Sequence, residues 1–219
     1  MKKLFEGIYQ GEKRNTLLTV NLTPGKAFFQ EDLVSDGTTE YRTWDIKRSK
    51  LAAAIAKGIS DPGIKPGAII LYLGAASGYT VSFLSDIIGE KGTIYAIDFA
   101  PRVVRDLYFV AKARKNIIPI LGDANKPESY MPYVLSSDIL YQDVAQKNQA
   151  EILLKNLVYL KDSGTAMIAV KARSIDVTKQ PRLVFQEVRS ELEKTLKITD
   201  YRVLDPFEKD HCFYICRRK

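Results

Sequence analysis

Apolar and polar positions follow two different rhythms along the chain, and the rhythm changes near residue 48. Before that point, short β-prone runs such as Leu17–Leu22 and Lys26–Phe29 are punctuated by Gly7, Gly11, Pro24, Gly25 and Gly37. Such punctuation breaks a chain into hairpins, so residues 1–48 are expected to form a small β domain. Beyond it, Ser49 precedes the alanine-rich stretch Leu51–Ile55, which stops at Gly58, and a serine cap with a closing glycine predicts a helix over 49–57. Asp61-Pro62-Gly63 then interrupts the chain. Short apolar runs predict strands at 68–73, 93–97, 117–121, 138–142 and 165–170, ending against Gly74, Asp98, Gly122-Asp123, Asp143 and Lys171. Helices are predicted at 80–88, 102–114 (with Pro101 in the opening position), 149–160 and 181–196. Strands at 201–204 and 212–216 follow as an antiparallel-looking pair. Strands alternating with helices of about a dozen residues define parallel βαβ units, so residues 49–219 are expected to be an α/β domain with helices on both faces.

Composition narrows the class. Apolar residues at 46% and charged residues at 27% exclude a disordered chain, because enough apolar surface exists to offset chain entropy. The longest nearly apolar run, Ala68–Ala76, is far below the roughly 20 residues of a membrane span. The net charge of +7 divides as +2 over residues 1–50, +1 over 51–170 and +4 over 171–219. That spread is compatible with a polyanionic partner without demanding one. Cys212 and Cys216 share one face of an apolar strand but lie too far apart for an unstrained bridge, and with a single histidine they do not complete a four-ligand zinc site. Reduced packing cysteines, and an N-terminus without an apolar signal core, point to the cytoplasm.

The chemistry gathers at strand ends. Gly74-Ala75-Ala76-Ser77-Gly78 turns a strand into a helix, where missing side chains and free N–H groups admit a ligand. Ala76 departs from the G-x-G-x-x-G dinucleotide fingerprint, which disfavours a nicotinamide oxidoreductase. Asp98, 24 residues beyond Gly74, suits the ribose hydroxyls of an adenosine-containing cofactor, and Asp123 ends the third strand. S-adenosylmethionine, lacking phosphate, tolerates the looser loop, and the final antiparallel pair suits a Rossmann-like methyltransferase sheet. Asp143, Lys171, Lys50 and His211 can reach the same edge. Each also has an ordinary structural role open to it: a solvated lysine, a helix-capping acid, a packed histidine.

These residues carry a resemblance to a known family. Glu40-Tyr41-Arg42 with Arg48-Ser49-Lys50-Leu51-Ala52-Ala53-Ala54-Ile55 resembles fibrillarin. So do Leu73–Gly78 with Val81-Ser82, Phe99-Ala100-Pro101-Arg102, Gly122-Asp123-Ala124, Tyr141–Gln146, Lys171–Asp176 and Asp210-His211. The likeness runs from about residue 7 onward and matches the short, archaeal-type form, without a Gly/Arg-rich tail. It implies an S-adenosylmethionine-dependent 2′-O-methyltransferase acting on rRNA, and on tRNA, inside a C/D-box guide-RNA particle. It implies a Nop-domain scaffold protein and a kink-turn-binding protein as partners. No metal is expected, because metal-dependent methyltransferases need clustered carboxylates or amides and only Asp143 is well placed. By the same resemblance Lys50, Asp143, Lys171 and His211 form the catalytic set. The cofactor contacts would be Gly74 and Ala75, Tyr79 and Thr80, Asp98 and Phe99, Asp123 and Ala124, and Asp143, Val144, Ala145 and Gln146. Three positions depart from the family pattern: Tyr79 stands where threonine is usual, Asp98 where glutamate is usual, and Phe83 where histidine is common. Lys171 is expected to stabilise alkoxide charge or to act as base, with Asp143 orienting it. A non-catalytic particle subunit and a small-molecule O-methyltransferase are the rival readings.

Overall fold

The computed structural model describes residues 1–11 and 16–219, so residues 12–15 of the expected β domain lie outside the described residues. The N-terminal strands β1 (Lys2–Phe5), β2 (Ile8–Gln10), β3 (Thr16–Val20), β4 (Leu33–Asp36) and β5 (Thr39–Asp45) form an antiparallel sheet in the order β1-β2-β3-β5-β4. The run 26–29 is a loop, not a strand. Glu31 explains this: its carboxylate accepts the Phe28 and Phe29 N–H groups at 3.1 and 2.7 Å, so those donors are unavailable to a ladder. Leu17–Leu22 pairs only as far as Val20.

The second sheet holds β6 (Ile69–Leu73), β7 (Thr93–Asp98), β8 (Ile117–Leu121), β9 (Ser137–Gln142), β10 (Leu160–Lys171), β11 (Leu196–Val203) and β12 (His211–Arg218). Its order is β11-β12-β10-β9-β6-β7-β8. The strands from β6 to β10 pair in parallel, and β12 runs antiparallel between β10 and β11. Helices α1 (Lys50–Ala56), α2 (Tyr79–Ile88), α3 (Pro101–Ala113), α4 (Gln149–Asn156), α5 (Ala172–Ile175) and α6 (Pro181–Leu192) complete the fold, with Ser49 capping α1 as expected.

Two helices are shorter than their patterns predict. The helix expected over 149–160 stops at Asn156, whose amide donates to the Ala124 and Ile152 carbonyls at 2.9 Å each and accepts from the Tyr130 hydroxyl. One 3-10 turn follows and β10 begins at Leu160, five residues before the expected start at 165. The helix expected over 181–196 stops at Leu192, and β11 starts at Leu196 rather than 201. From Leu196 the more buried and the exposed positions alternate with a period of two, which is the rhythm of a strand with one face covered.

The two sheets share one core. Ile8, Leu17 and Trp44 from the small sheet are buried together with Phe83, Leu84 and Ile87 of α2. Trp44 stacks on Phe83 at 5.1 Å and 9°. Beside them Asp86 is wholly buried between two arginines, with Arg42 at 2.9 Å and Arg114 at 2.6 Å. Arg42 also lies 4.3 Å over the Phe83 ring, which gives that phenylalanine a packing role. Among the described residues no helix is long and apolar enough to cross a membrane.

Candidate active site

The sheet reverses its strand order between β6 and β9, and the carboxyl ends of the parallel strands meet at that crevice. Gly74 leaves β6 at φ +82, and a Cβ there would overlap the Asp143 carbonyl, so only glycine lets the two strand ends lie so close. Gly78 turns the chain into α2 at φ +92, with Leu107 Cδ1 filling the space a side chain would need. Between them Ala76 adopts φ +47 and donates its N–H to Asp98 at 2.8 Å. The other Asp98 oxygen accepts from Ala100 N at 3.0 Å, so the acid braces the glycine turn and the start of α3 together. A carboxylate offers about four acceptor positions, and two of these are used here.

A cleft of about 290 Å³ opens at the crevice, lined by Gly74, Ala76, Asp98, Phe99, Ala124 and Asp143 among others. Val144, Ala145 and Gln146 also line it. Phe99 stands at the lip, 66% exposed. Ala75 is buried behind the turn. Asp123 shapes the loop below by accepting Asn125 N at 2.9 Å, and does not itself line the cleft. Tyr79 and Thr80 do not line it either.

Asp143 pairs with Lys50, the first residue of α1, at 3.1 Å. Burial works to lower the Lys50 pKa, but the Asp143 charge and hydrogen bond outweigh it and hold the ammonium above the ordinary lysine value. This corrects the expected Asp143–Lys171 contact. Lys171 is exposed at the end of β10 and has no ion-pair partner among the described residues. Its neighbour is His211, its direct partner in the β10–β12 register. His211 is buried, and its Nδ1 lies 2.7 Å from the Lys209 carbonyl. A carbonyl only accepts, so Nδ1 carries a proton.

Sequence reasoning missed Gln149. Its buried side chain accepts the Lys171 N–H at 3.0 Å and donates to the Lys171 and Gln146 carbonyls at 3.2 and 2.8 Å. It therefore ties the Lys171 strand end to the cleft wall. An amide at the start of an amphipathic helix reads as solvated, and only the fold shows it wholly buried. Beneath the site Tyr72 and Tyr141 stack at 4.4 Å, and burial, reinforced by the Asp143 charge, pushes both hydroxyls far above the usual phenol range.

A mostly parallel sheet with one antiparallel strand near its edge, and an acid-lined cleft at its switch point, defines a Rossmann-like methyltransferase fold. The family model described as fibrillarin matches residues 1–219. The chain belongs to the fibrillarin family. It is 47% identical over 221 residues to a Pyrococcus furiosus protein named fibrillarin-like rRNA/tRNA 2′-O-methyltransferase, covering 99% of this chain and 97% of that one. Aeropyrum pernix fibrillarin, solved with natively bound S-adenosyl-L-methionine, superposes with a TM-score of 0.90 at 45% identity, covering 98% of this chain and 96% of that one. A fibrillarin/Nop5p complex contains a chain similar at TM-score 0.88 and 41% identity, with full coverage of both.

Proposed function

We propose that this protein methylates ribose 2′-hydroxyls of rRNA and tRNA with S-adenosylmethionine, as the catalytic subunit of a C/D-box guide-RNA particle in the cytoplasm. A Nop-domain protein serves as its scaffold, and a kink-turn-binding protein anchors the guide RNA. Residues 1–48 form the small β domain, and residues 49–219 form the methyltransferase domain. What supports this reading is the Lys50–Asp143 pair beside the glycine turn, with Lys171 and His211 register partners at the end of β10, the strand next to β9.

The cleft suits the cofactor. Asp98 keeps acceptor capacity for ribose hydroxyls, Phe99 offers an uncovered aromatic face for an adenine, and Asp143 supplies negative charge for a cationic centre. When bound, S-adenosylmethionine supplies a methyl group already activated on a sulfonium. What remains for the protein is the sugar hydroxyl, a very weak acid. The Lys171 ammonium stabilises negative charge developing on the 2′-oxygen. His211 Nε2 is the proton acceptor on the same strand pair. Lys50, fixed by Asp143, flanks the ribose, and much of the acceleration comes from alignment.

Lys171→Met tests this reading. Turnover is measured as methyl incorporation into a guide-matched RNA in the particle reconstituted with both partner proteins. It should fall by about 10²–10³, the usual loss for one electrostatic donor, with cofactor affinity by calorimetry within about twofold. Near-native turnover would remove Lys171 from the mechanism.

A further inference from the structure

Tyr79 and Thr80 are consecutive residues opening α2, and the family resemblance gives both to the cofactor. In this chain their side chains face elsewhere. The Tyr79 hydroxyl accepts the Asp45 N–H at 3.1 Å. Its ring carries the Arg48 guanidinium at 4.2 Å and meets Phe29 edge-on at 5.4 Å. Arg48 is fixed in turn by donating to the Phe29 carbonyl at 3.0 Å. Thr80, buried, donates its hydroxyl to Ser49 Oγ at 3.0 Å. The same Ser49 oxygen caps α1 by accepting Ala52 N, and Lys50 is the next residue. Three points on the segment 45–49 are therefore held by two neighbouring side chains of α2. That segment is the only covalent link between β5 and the helix that presents Lys50 to Asp143.

We propose that Tyr79 and Thr80 are positioning residues for Lys50, setting where its amine stands against Asp143, and that they do not hold the cofactor through their side chains. A threonine at position 79 would be too short to span to Asp45 and would have no ring to carry Arg48. The tyrosine thus gives this chain a hold on its β5–α1 connection that a threonine would lack. The inference rests on the reading of Lys50 as part of the methyl-transfer site, and its test keeps the two apart.

Three variants are compared in the full-length protein: Thr80→Val, which keeps shape and loses the hydroxyl; Thr80→Ser, which keeps the hydroxyl; and Tyr79→Phe, which loses only the contact to Asp45. S-adenosylmethionine affinity is measured by calorimetry and turnover in the reconstituted particle. The third readout is the acylation rate of the Lys50 amine by an amine-reactive reagent, followed by peptide mass spectrometry with Lys171 as internal reference. Cofactor affinity should stay within about twofold for all three, while turnover falls about fivefold to tenfold in Thr80→Val and Tyr79→Phe and returns in Thr80→Ser. Lys50 should be acylated several-fold faster in the two weakened variants, with the Lys171 rate unchanged. Cofactor affinity falling in step with turnover would return both residues to the cofactor and overturn the proposal, as would an unchanged Lys50 acylation rate. Full turnover in Lys50→Met would instead strike the role of Lys50 itself, while the acylation result would still stand as a measure of positioning.

Discussion

Cys212 and Cys216 lie buried in the core on one face of β12, and burial pushes each thiol up to about 12. In an unfolded chain a thiol ionises near 8.5, so the folded state holds these protons more tightly. The sign follows: this contribution to stability is complete below about pH 8.5 and is lost as pH rises toward the folded value, by up to about 1.4 kcal/mol per thiol per pH unit. Tyr72, Tyr141 and Tyr214, all raised by burial, act in the same direction at higher pH. The urea midpoint at pH 10 should therefore lie below that at pH 8, and a thiol reagent at pH 8 should label neither cysteine until denaturant is added. Equal midpoints, or labelling of the native protein, would refute this. At this scale the sequence was legible where a residue acts through its own strand end, as Gly74, Asp98 and Asp143 do. It was silent where the partner is remote. Gln149 reaches Lys171 across 22 residues, and Asp143 takes Lys50 rather than Lys171 because α1 delivers its first residue to the crevice.

Helix α2 joins the two sheets through one carboxylate. Each Asp86 oxygen accepts from one arginine and one further donor: Thr19 Oγ1 with Arg42 on one, the Leu22 N–H with Arg114 on the other. Burial pulls the Arg114 pKa down, and the Asp86 charge opposes that shift. Removing the shared anion leaves Arg114 without a carboxylate partner and Arg42 with Glu31 alone. Asp86→Ala should therefore cost about 3–5 kcal/mol in urea unfolding, several times an exposed ion pair. A loss below about 1 kcal/mol would show that water or Glu31 compensates both arginines. Elements with local signals were readable from the sequence, since Ser49 caps α1 and Pro101 opens α3. The ends of α4 and α6 were not, because Asn156 terminates α4 by bonding across to Ala124, and no local residue announces that.

Across the whole molecule the alternating pattern revealed a βαβ sheet, and the strand-end chemistry revealed which edge would matter. The order of strands did not follow from the pattern, because the placement of β9 beside β6 and of β12 inside the sheet depends on which faces the helices cover. Nor did the pattern show that the small sheet shares its core with the large one. Trp44, the chain's one tryptophan, is fully buried at that boundary against Phe83. With a common core the two sheets should come apart together, so tryptophan emission and far-UV dichroism should report coincident urea midpoints. An emission shift at lower urea than the dichroism change would mean that residues 1–48 detach first. The indole at this seam is consequently an optical gauge already in place: any ligand or partner that strains the joint between the two sheets registers as a change in colour, with no dye attached.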